Sequence, residues 1–240
     1  MRTEVRVSDS TSLTFPASLC YSHGMKAAGI LALKVAGLAV VFLCWRSSAR
    51  RTFSFPWAVA MVWGFVALVR VLAALGRWLL NRHPTAERAA LLTIPIHYLE
   101  VVFLGCALIV AFRFTQAYPI ASIPFPRSIS FPVLRILSVV ATLTVLNLAI
   151  SGLGLPLAAV LSRKLATRWL YARCRNPMPL SCLLFFIVGA VWLQSLHATL
   201  WATLWLTPAW ILYVRLYEER ELEIRFGESY LHYKARTPFF

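Results

Sequence analysis

Apolar positions in this chain do not alternate with polar ones. They run on for twenty residues or more, broken by short basic or proline-rich segments. The first run covers roughly 27–45, with Lys34 inside it, and the second roughly 55–80, with Arg70 inside it. The third, roughly 89–112, carries His97 and Glu100. Prolines at 119, 124, 126 and 132 mark the segment after it as a loop, because proline cannot feed a helix its hydrogen bonds. The fourth run, roughly 133–161, exceeds the about 20 residues of a straight crossing, so it is expected to tilt, kink at Pro156 or leave the bilayer. A basic connector, residues 162–181, precedes a nearly uncharged stretch at 182–217. As one helix that stretch would be about 54 Å long, so two helices with a turn near 194–199 fit better. A polar, amphipathic tail, 218–240, ends the sequence, and residues 1–26 form a Ser/Thr-rich arm expected to be loosely ordered. The arm lacks the apolar core and small-residue cleavage site of a signal peptide. The pattern predicts an all-α, polytopic transmembrane bundle of about five or six spans. Its parts are the arm (1–26), transmembrane scaffold helices (27–161) and a connector–hairpin–tail region (162–240).

Composition sharpens this reading. The 240 residues are 60% hydrophobic and 14% charged, with a mean hydropathy of +0.70. Soluble domains are nearer half apolar and a quarter charged, so bilayer is the natural solvent here. Nine Trp and fifteen Phe suit interfacial aromatic belts. A net charge of +15 suggests nucleic acid in a soluble protein. In this chain the arginines cluster between apolar runs, which reads as loops facing anionic headgroups, with no nucleic acid partner. Arg163, Lys164, Arg168, Arg173 and Arg175 place the connector in the cytoplasm, and a hairpin returns the tail to the same side. Counting back puts residue 1 and the loop of Arg77, Arg82 and Arg88 there too. The "RSSARR" segment, 46–51, then falls on the opposite side, against the positive-inside rule. Five scattered cysteines, Cys20, Cys44, Cys106, Cys174 and Cys182, read as plain apolar thiols with neither zinc site nor disulfide framework.

The acids are distributed unevenly. Glu218, Glu219, Glu221, Glu223 and Glu228 are five of the nine, and the first two come where the last apolar run stops. At helical spacing Glu218, Leu222, Phe226 and Tyr230 share a face, with Tyr233 three residues on. Arg215, three residues before Glu218, is placed for an intrahelical pair, and Gly227 is expected to end one helix and turn the chain into the next. Such a pair of glutamates has two readings: the solvated start of an amphipathic tail, or part of a site. If connector and tail meet at one membrane face, Arg175 and Asn176 come near Glu218 and Glu219.

The segment "YARCRNPM", followed about forty residues later by "EERELEIRFGESYLHYK", resembles the isoprenylcysteine carboxyl methyltransferase and phospholipid methyltransferase family. Tyr171, Arg175, Asn176, Pro177 and Met178 match its first motif; Glu218, Glu219, Leu222, Phe226, Gly227, Tyr230 and Tyr233 match its second. The resemblance covers about residues 155–238. Trp169 and Leu170 stand where the family has glycine and often proline, Pro179 where it has tyrosine, and Ser181 where it has glycine. The resemblance implies an integral-membrane, S-adenosylmethionine-dependent enzyme whose acceptor is an amphiphile reaching the site sideways from the bilayer. It implies that Tyr171, Asn176, Pro177, Met178, Glu218 and Glu219 line the cofactor pocket, and that an arginine, Arg175 or else Arg215, works with Glu219 on the acceptor side. A prenylated cysteine carboxylate or a similar lipid-like acceptor is favoured, since the tail is most similar to the isoprenylcysteine type. The alternatives are an NADPH-dependent sterol reductase-like enzyme and a non-catalytic membrane bundle.

Other polar residues add less. His97 and Glu100 lie mid-span, one turn apart; they either line a cavity or pair with Arg70 or Lys34. Asn147 reads as interhelical glue, and His197 and Gln194 as turn residues meeting solvent or headgroups. "SGLGLP", 151–156, is only a broken G-x-G and reads as close helix packing. No spacing of metal ligands or hydrolase nucleophile occurs, so neither is expected.

Overall fold

In the computed structural model the described residues are 24–154 and 161–240, so the expectations for the arm before residue 24, for Cys20 and for Pro156 lie outside them. The described chain is all-α. Helices α1 (Gly24–Arg50), α2 (Phe55–Arg82), α3 (Ala86–Ala117) and α4 (Arg127–Asn147) run up and down. A π turn, Leu148–Gly152, extends α4, and a short 3₁₀ turn, Trp169–Ala172, lies in the connector. Helix α5 (Pro177–Trp192) leads to a tight turn. From there α6 (Leu196–Trp201), α7 (Thr207–Tyr213) and α8 (Glu219–Phe226) follow one another through π turns at Ala202–Leu206 and Val214–Glu218. Helix α9 (Glu228–Arg236) folds back after them.

Four helices are long and apolar enough to cross a membrane: Ala28–Arg50, Phe55–Arg82, Ala86–Ala117 and Arg127–Gly152. The core lies where α2 and α3 pack together and receive the α6–α8 segment. Val66, Val69 and Ala73 of α2 meet Ala107 and Val110 of α3 and Leu206, Ala209, Tyr213 and Tyr217. A second cluster, with Val41 against Ile94, Tyr98, Val102 and Cys106, seats α1 on α3. Leu31, Val35 and Phe42 of α1 and Ile136, Val139 and Leu143 of α4 point outward from the bundle. An apolar exterior of this extent needs a lipid surround, so the protein is a membrane protein.

The up-and-down path gives the bundle two ends. One end carries the loop after α1, residues 118–126 and the α5–α6 turn. Ile123 N donates to Gln194 O at 2.9 Å and Leu196 N to Ala121 O at 3.1 Å, which ties the last two together. The other end carries residues 83–85, the connector and the tail.

Several local expectations change. Pro132 lies inside α4: it forfeits one backbone bond near the helix start, and the helix continues. Asn147 is fully buried, but its amide donates to Ser151 Oγ one turn on at 3.0 Å, a bond within its own segment. Arg70 turns to Trp205, 3.8 Å above the ring, where the guanidinium is held by cation–π attraction and by a bond to Trp205 O at 3.3 Å. Gln194 donates to Phe125 O at 3.1 Å, and the His197 ring lies 3.4 Å from Thr115 Oγ1, so both bind protein. The glycines of "SGLGLP" admit the connector; a Cβ on Gly154 would sit 2.4 Å from Ser162 Oγ.

Gly76 decides how closely α2 approaches the C-terminal segment. A Cβ there would meet the Tyr217 ring at 2.5 Å, and Tyr217 is fully buried. Gly76→Val is therefore expected to destabilise the folded protein by about 1–3 kcal/mol through overpacking. Gly64→Ala on the same helix, where a Cβ meets nothing within 4 Å, is expected to be neutral or mildly stabilising. Thermal unfolding of the two variants in one detergent checks this.

Candidate functional site

Two segments some forty residues apart in sequence meet at the connector end. Neighbouring residues on a helix point about 100° apart, so Glu218 and Glu219 face different neighbours. Glu219, buried at the start of α8, faces the connector and α9. Its Oε1 lies 3.1 Å from Arg175 Nη2 and its Oε2 2.7 Å from Lys234 Nζ. Lys234 also reaches Glu223 at 3.0 Å, and Arg220 holds Glu223 from the other side at 3.1 Å. The backbone follows the charges. Arg175 N donates to Pro238 O at 3.0 Å and Arg175 Nη1 to Lys234 O at 3.1 Å. Cys174 Sγ and Asn176 Nδ2 both donate to Phe239 O, at 3.4 and 3.3 Å. Tyr233 Oη donates to Tyr171 O at 2.6 Å. Connector and tail thus form one roof over this end of the bundle.

Local sequence prepares that roof. Pro177 and Pro179 occupy the first turn of α5, where backbone N–H groups have no intrahelical acceptor, so neither ring costs the helix a bond. Asn176, freed from side-chain capping, spends its amide on Phe239. Gly227 has φ +54 and ψ −133, a region open essentially to glycine alone. It breaks α8 from α9 and lets the tail fold back so that Lys234 meets Glu219.

Glu218 points the other way, into the bundle. Its Oε1 lies 3.8 Å from His97 Nε2, and His97 lies 3.9 Å from Glu100 Oε2. The Tyr213 ring stands edge-on to His97, with centroids 6.2 Å apart. Tyr213 Oη and His97 Nδ1 are buried without a hydrogen-bond partner. Beside this cluster Thr93 Oγ1 bonds Tyr217 Oη at 3.1 Å and Glu221 at 3.2 Å, and Glu221 pairs with Arg225 at 2.6 Å. Arg225 in turn donates to Ser162 O and so fastens the start of the connector.

The structure thus brings together Arg175, Asn176, Tyr171 and Glu219, with Pro177 and Met178 opening α5 beneath them. Arg215 stands apart. It is exposed and lies 4.6 Å over the Phe239 ring, while Glu218 turns to His97. The π turn at Val214–Glu218 shifts the register that the three-residue spacing assumed. The expected face of Glu218, Leu222, Phe226 and Tyr230 is likewise replaced: the segment buries Tyr217, Glu219 and Glu221, and Gly227 interrupts the series before the buried Tyr230. Lys234 was missed by sequence reasoning. The signal for it is the break at Gly227, which turns the next helix back toward α8. His97 as the partner of Glu218 was missed too; intramembrane titratable residues on separate spans are the cue.

Charge fixes the titration of the roof. Burial alone would raise the Glu223 carboxyl, but hydrogen bonds from Lys234 and Arg220 outweigh it and hold the group below its ordinary value. Burial alone would lower Lys234, yet Glu219 and Glu223 hold it above its ordinary value. Burial, and after it the neighbouring Glu218, pushes the Tyr171 phenol up. Tyr233 is raised mainly by burial as well. The buried Arg175 Nε and Glu219 Oε1 lack well-aligned hydrogen-bond partners, leaving a donor and an acceptor at the roof.

Fold and site together define a helical membrane protein with an ionically closed roof at one end. Compared with protein-family models, curated proteins and solved structures, the chain matches none.

The ion pairs set a pH window. The stabilisation carried by Glu223 is complete above its ordinary value of 4.5 and is lost as pH falls through its depressed folded value. That carried by Lys234 is complete below its ordinary value of 10.5 and is lost as pH rises through its elevated folded value. Limited proteolysis after Gly227 should therefore be slowest between these limits and accelerate outside both. A flat profile from acid to alkali would mean that these pairs do not hold α9 down.

Proposed function

We propose that the protein is an integral-membrane methyltransferase that uses S-adenosylmethionine and modifies an amphiphilic acceptor, with the carboxylate of a prenylated cysteine or a similar lipid-like group favoured. The observation that carries this reading is the meeting of the two motif segments: Arg175 and Glu219 lie 3.1 Å apart although forty-four positions separate them. The donor set suits the cofactor. Carboxylates suit an ammonium group and ribose hydroxyls, a guanidinium suits a carboxylate, and tyrosines wall an aromatic base. Arg175 Nε, His97 Nδ1 and Tyr213 Oη, buried without hydrogen-bond partners, are polar atoms of the kind a bound polar molecule satisfies.

When bound, S-adenosylmethionine supplies a methyl group already activated on a sulfonium. The chain's task is then to position the partners and exclude water. In this reading Glu218 and Glu219 hold the cofactor's cationic and hydroxyl groups, and Tyr171, Asn176, Pro177 and Met178 form the wall above it. Arg175 orients the acceptor, and Arg215, over Phe239, is the second candidate for that role. A carboxylate acceptor needs no general base, which accords with an arginine at the acceptor side. The connector is taken as cytoplasmic on its basic residues Arg163, Lys164, Arg168, Arg173 and Arg175, and the hairpin returns the tail to the same side. A non-catalytic bundle is the second reading, favoured by the closed Arg175–Glu219–Lys234 pairing, which holds together without a ligand.

Calorimetric titration of the purified protein separates these readings. Saturable binding of S-adenosylmethionine and none of NADPH is expected, with binding weakened at least about tenfold in Glu218→Gln through loss of a charge-assisted contact. Transfer of a labelled methyl group from the cofactor to a component of a membrane extract should follow. Unchanged binding in Glu218→Ala combined with Glu219→Ala would remove these residues from the site. Absence of saturable binding in the wild type would leave the non-catalytic reading.

A further inference from the structure

At the end of the bundle opposite the roof, an apolar groove of about 590 Å³ opens between α3, α4, α5 and α6. Its walls include Leu108, Phe112, Leu134, Phe186 and Trp201. The volume falls within the about 300–1,000 Å³ of ligand-binding pockets. The lining is not wholly apolar: Arg113, Trp201 and Thr115 bring polar groups to it, and Thr115 Oγ1 lies 3.4 Å from His197 Nε2. Arg113 stands on its wall, fixed by Nη1 to the carbonyls of Ser48 at 3.3 Å and Ala49 at 2.6 Å near the end of α1. Trp201 lines both this groove and a smaller pocket beside α2, and its Nε1–H is buried with no acceptor. A buried donor left unpaired costs free energy, and a hydrocarbon chain alone cannot satisfy it.

Among the described residues the surroundings of the groove are one-signed. Arg46, Arg50, Arg51, Arg113 and Arg127 gather at this end, and the sequence from residue 101 to 217 contains no Asp or Glu. The 46–51 segment breaks the positive-inside rule if the roof is cytoplasmic, so its arginines serve something other than topology. The three observations converge on one ligand chemistry: a chain to fill the groove, an oxygen acceptor for Trp201 and a negative charge for the arginines.

We propose that the groove is a binding site for an anionic phospholipid of the leaflet at this end. Its acyl chain lies in the groove, an ester carbonyl accepts from Trp201 Nε1, and its phosphate headgroup meets Arg113, Arg50 and Arg51. This site is separate from the roof and does not depend on the methyltransferase reading. The groove lies alongside residues 108–115 of α3, whereas the roof cluster uses His97 and Glu100.

The test is native mass spectrometry of the full-length protein released from nanodiscs of equal phosphatidylglycerol and phosphatidylcholine. The wild type is expected to retain one phosphatidylglycerol in preference to phosphatidylcholine. Arg50→Gln with Arg51→Gln changes two exposed side chains. It should keep a bound lipid but lose about five-fold of the anionic preference for each arginine removed. Gly189→Phe should abolish retention by filling the groove. Space exists for that start, since a Cβ on Gly189 meets only Leu134, at an ordinary 3.9 Å. Equal retention of the two lipids by the wild type would overturn the proposal, as would an undiminished preference in the double arginine variant. A dimer that Gly189→Phe dissolves would overturn it as well, since a second copy would then fill the groove.

Discussion

A carboxylate buried at the edge of a membrane bundle must be answered by cations, and Glu219 is answered by two. Removing one partner of such a buried pair typically costs about 3–5 kcal/mol, because the other charge is left without compensation. Arg175 comes from the connector and Lys234 from α9, so one carboxylate fixes two segments that share no secondary structure. Across the same seam Arg175 N donates to Pro238 O, and the Cys174 and Asn176 side chains donate to Phe239 O. Glu218, one residue earlier and turned into the bundle, links the same helix to His97. The pair of glutamates is therefore a junction, one member serving the roof and the other the polar cluster beneath it.

The membrane sets the terms for the rest. Helices α1 and α4 turn large apolar side chains outward, so burial within the protein is concentrated where α2, α3 and the C-terminal segment meet. Several polar residues inside that region bond one another. Thr93, Tyr217, Glu221 and Arg225 form one such chain, which ends on the connector backbone at Ser162. Gly76 allows the close approach that puts Tyr217 into this chain. The packing of the bundle and the closure of its roof thus run through the same few residues.

Much of the fold was legible in the sequence because hydropathy over twenty residues is a strong local signal. The apolar runs became α1 to α4, and the turn expected near 194–199 falls at the α5–α6 junction. The break at Gly227 was legible for the same kind of reason, since glycine within an amphipathic helix marks an end. The meeting of connector and tail followed from their lying at one end of an up-and-down bundle. Direction was not legible. Whether Glu218 or Glu219 faces Arg175 depends on the rotation of a helix that contains π turns, and each π turn shifts the register that spacing arguments assume. Arg215 faces Phe239 for that reason, and Arg70 found an aromatic face 135 residues away that no local pattern announces. Pro132 shows the converse: a helix breaker near a helix start is overruled where the helix has continuous apolar sequence beyond it.

If Glu219 joins connector and tail, disturbing it must loosen both at once. Hydrogen–deuterium exchange on Glu219→Gln, compared with wild type in the same detergent, measures this directly. The account predicts that amides of residues 169–176 and of α9 lose protection together while those of α2 and α3 keep theirs. Loss confined to α9, with the connector as protected as before, would contradict it.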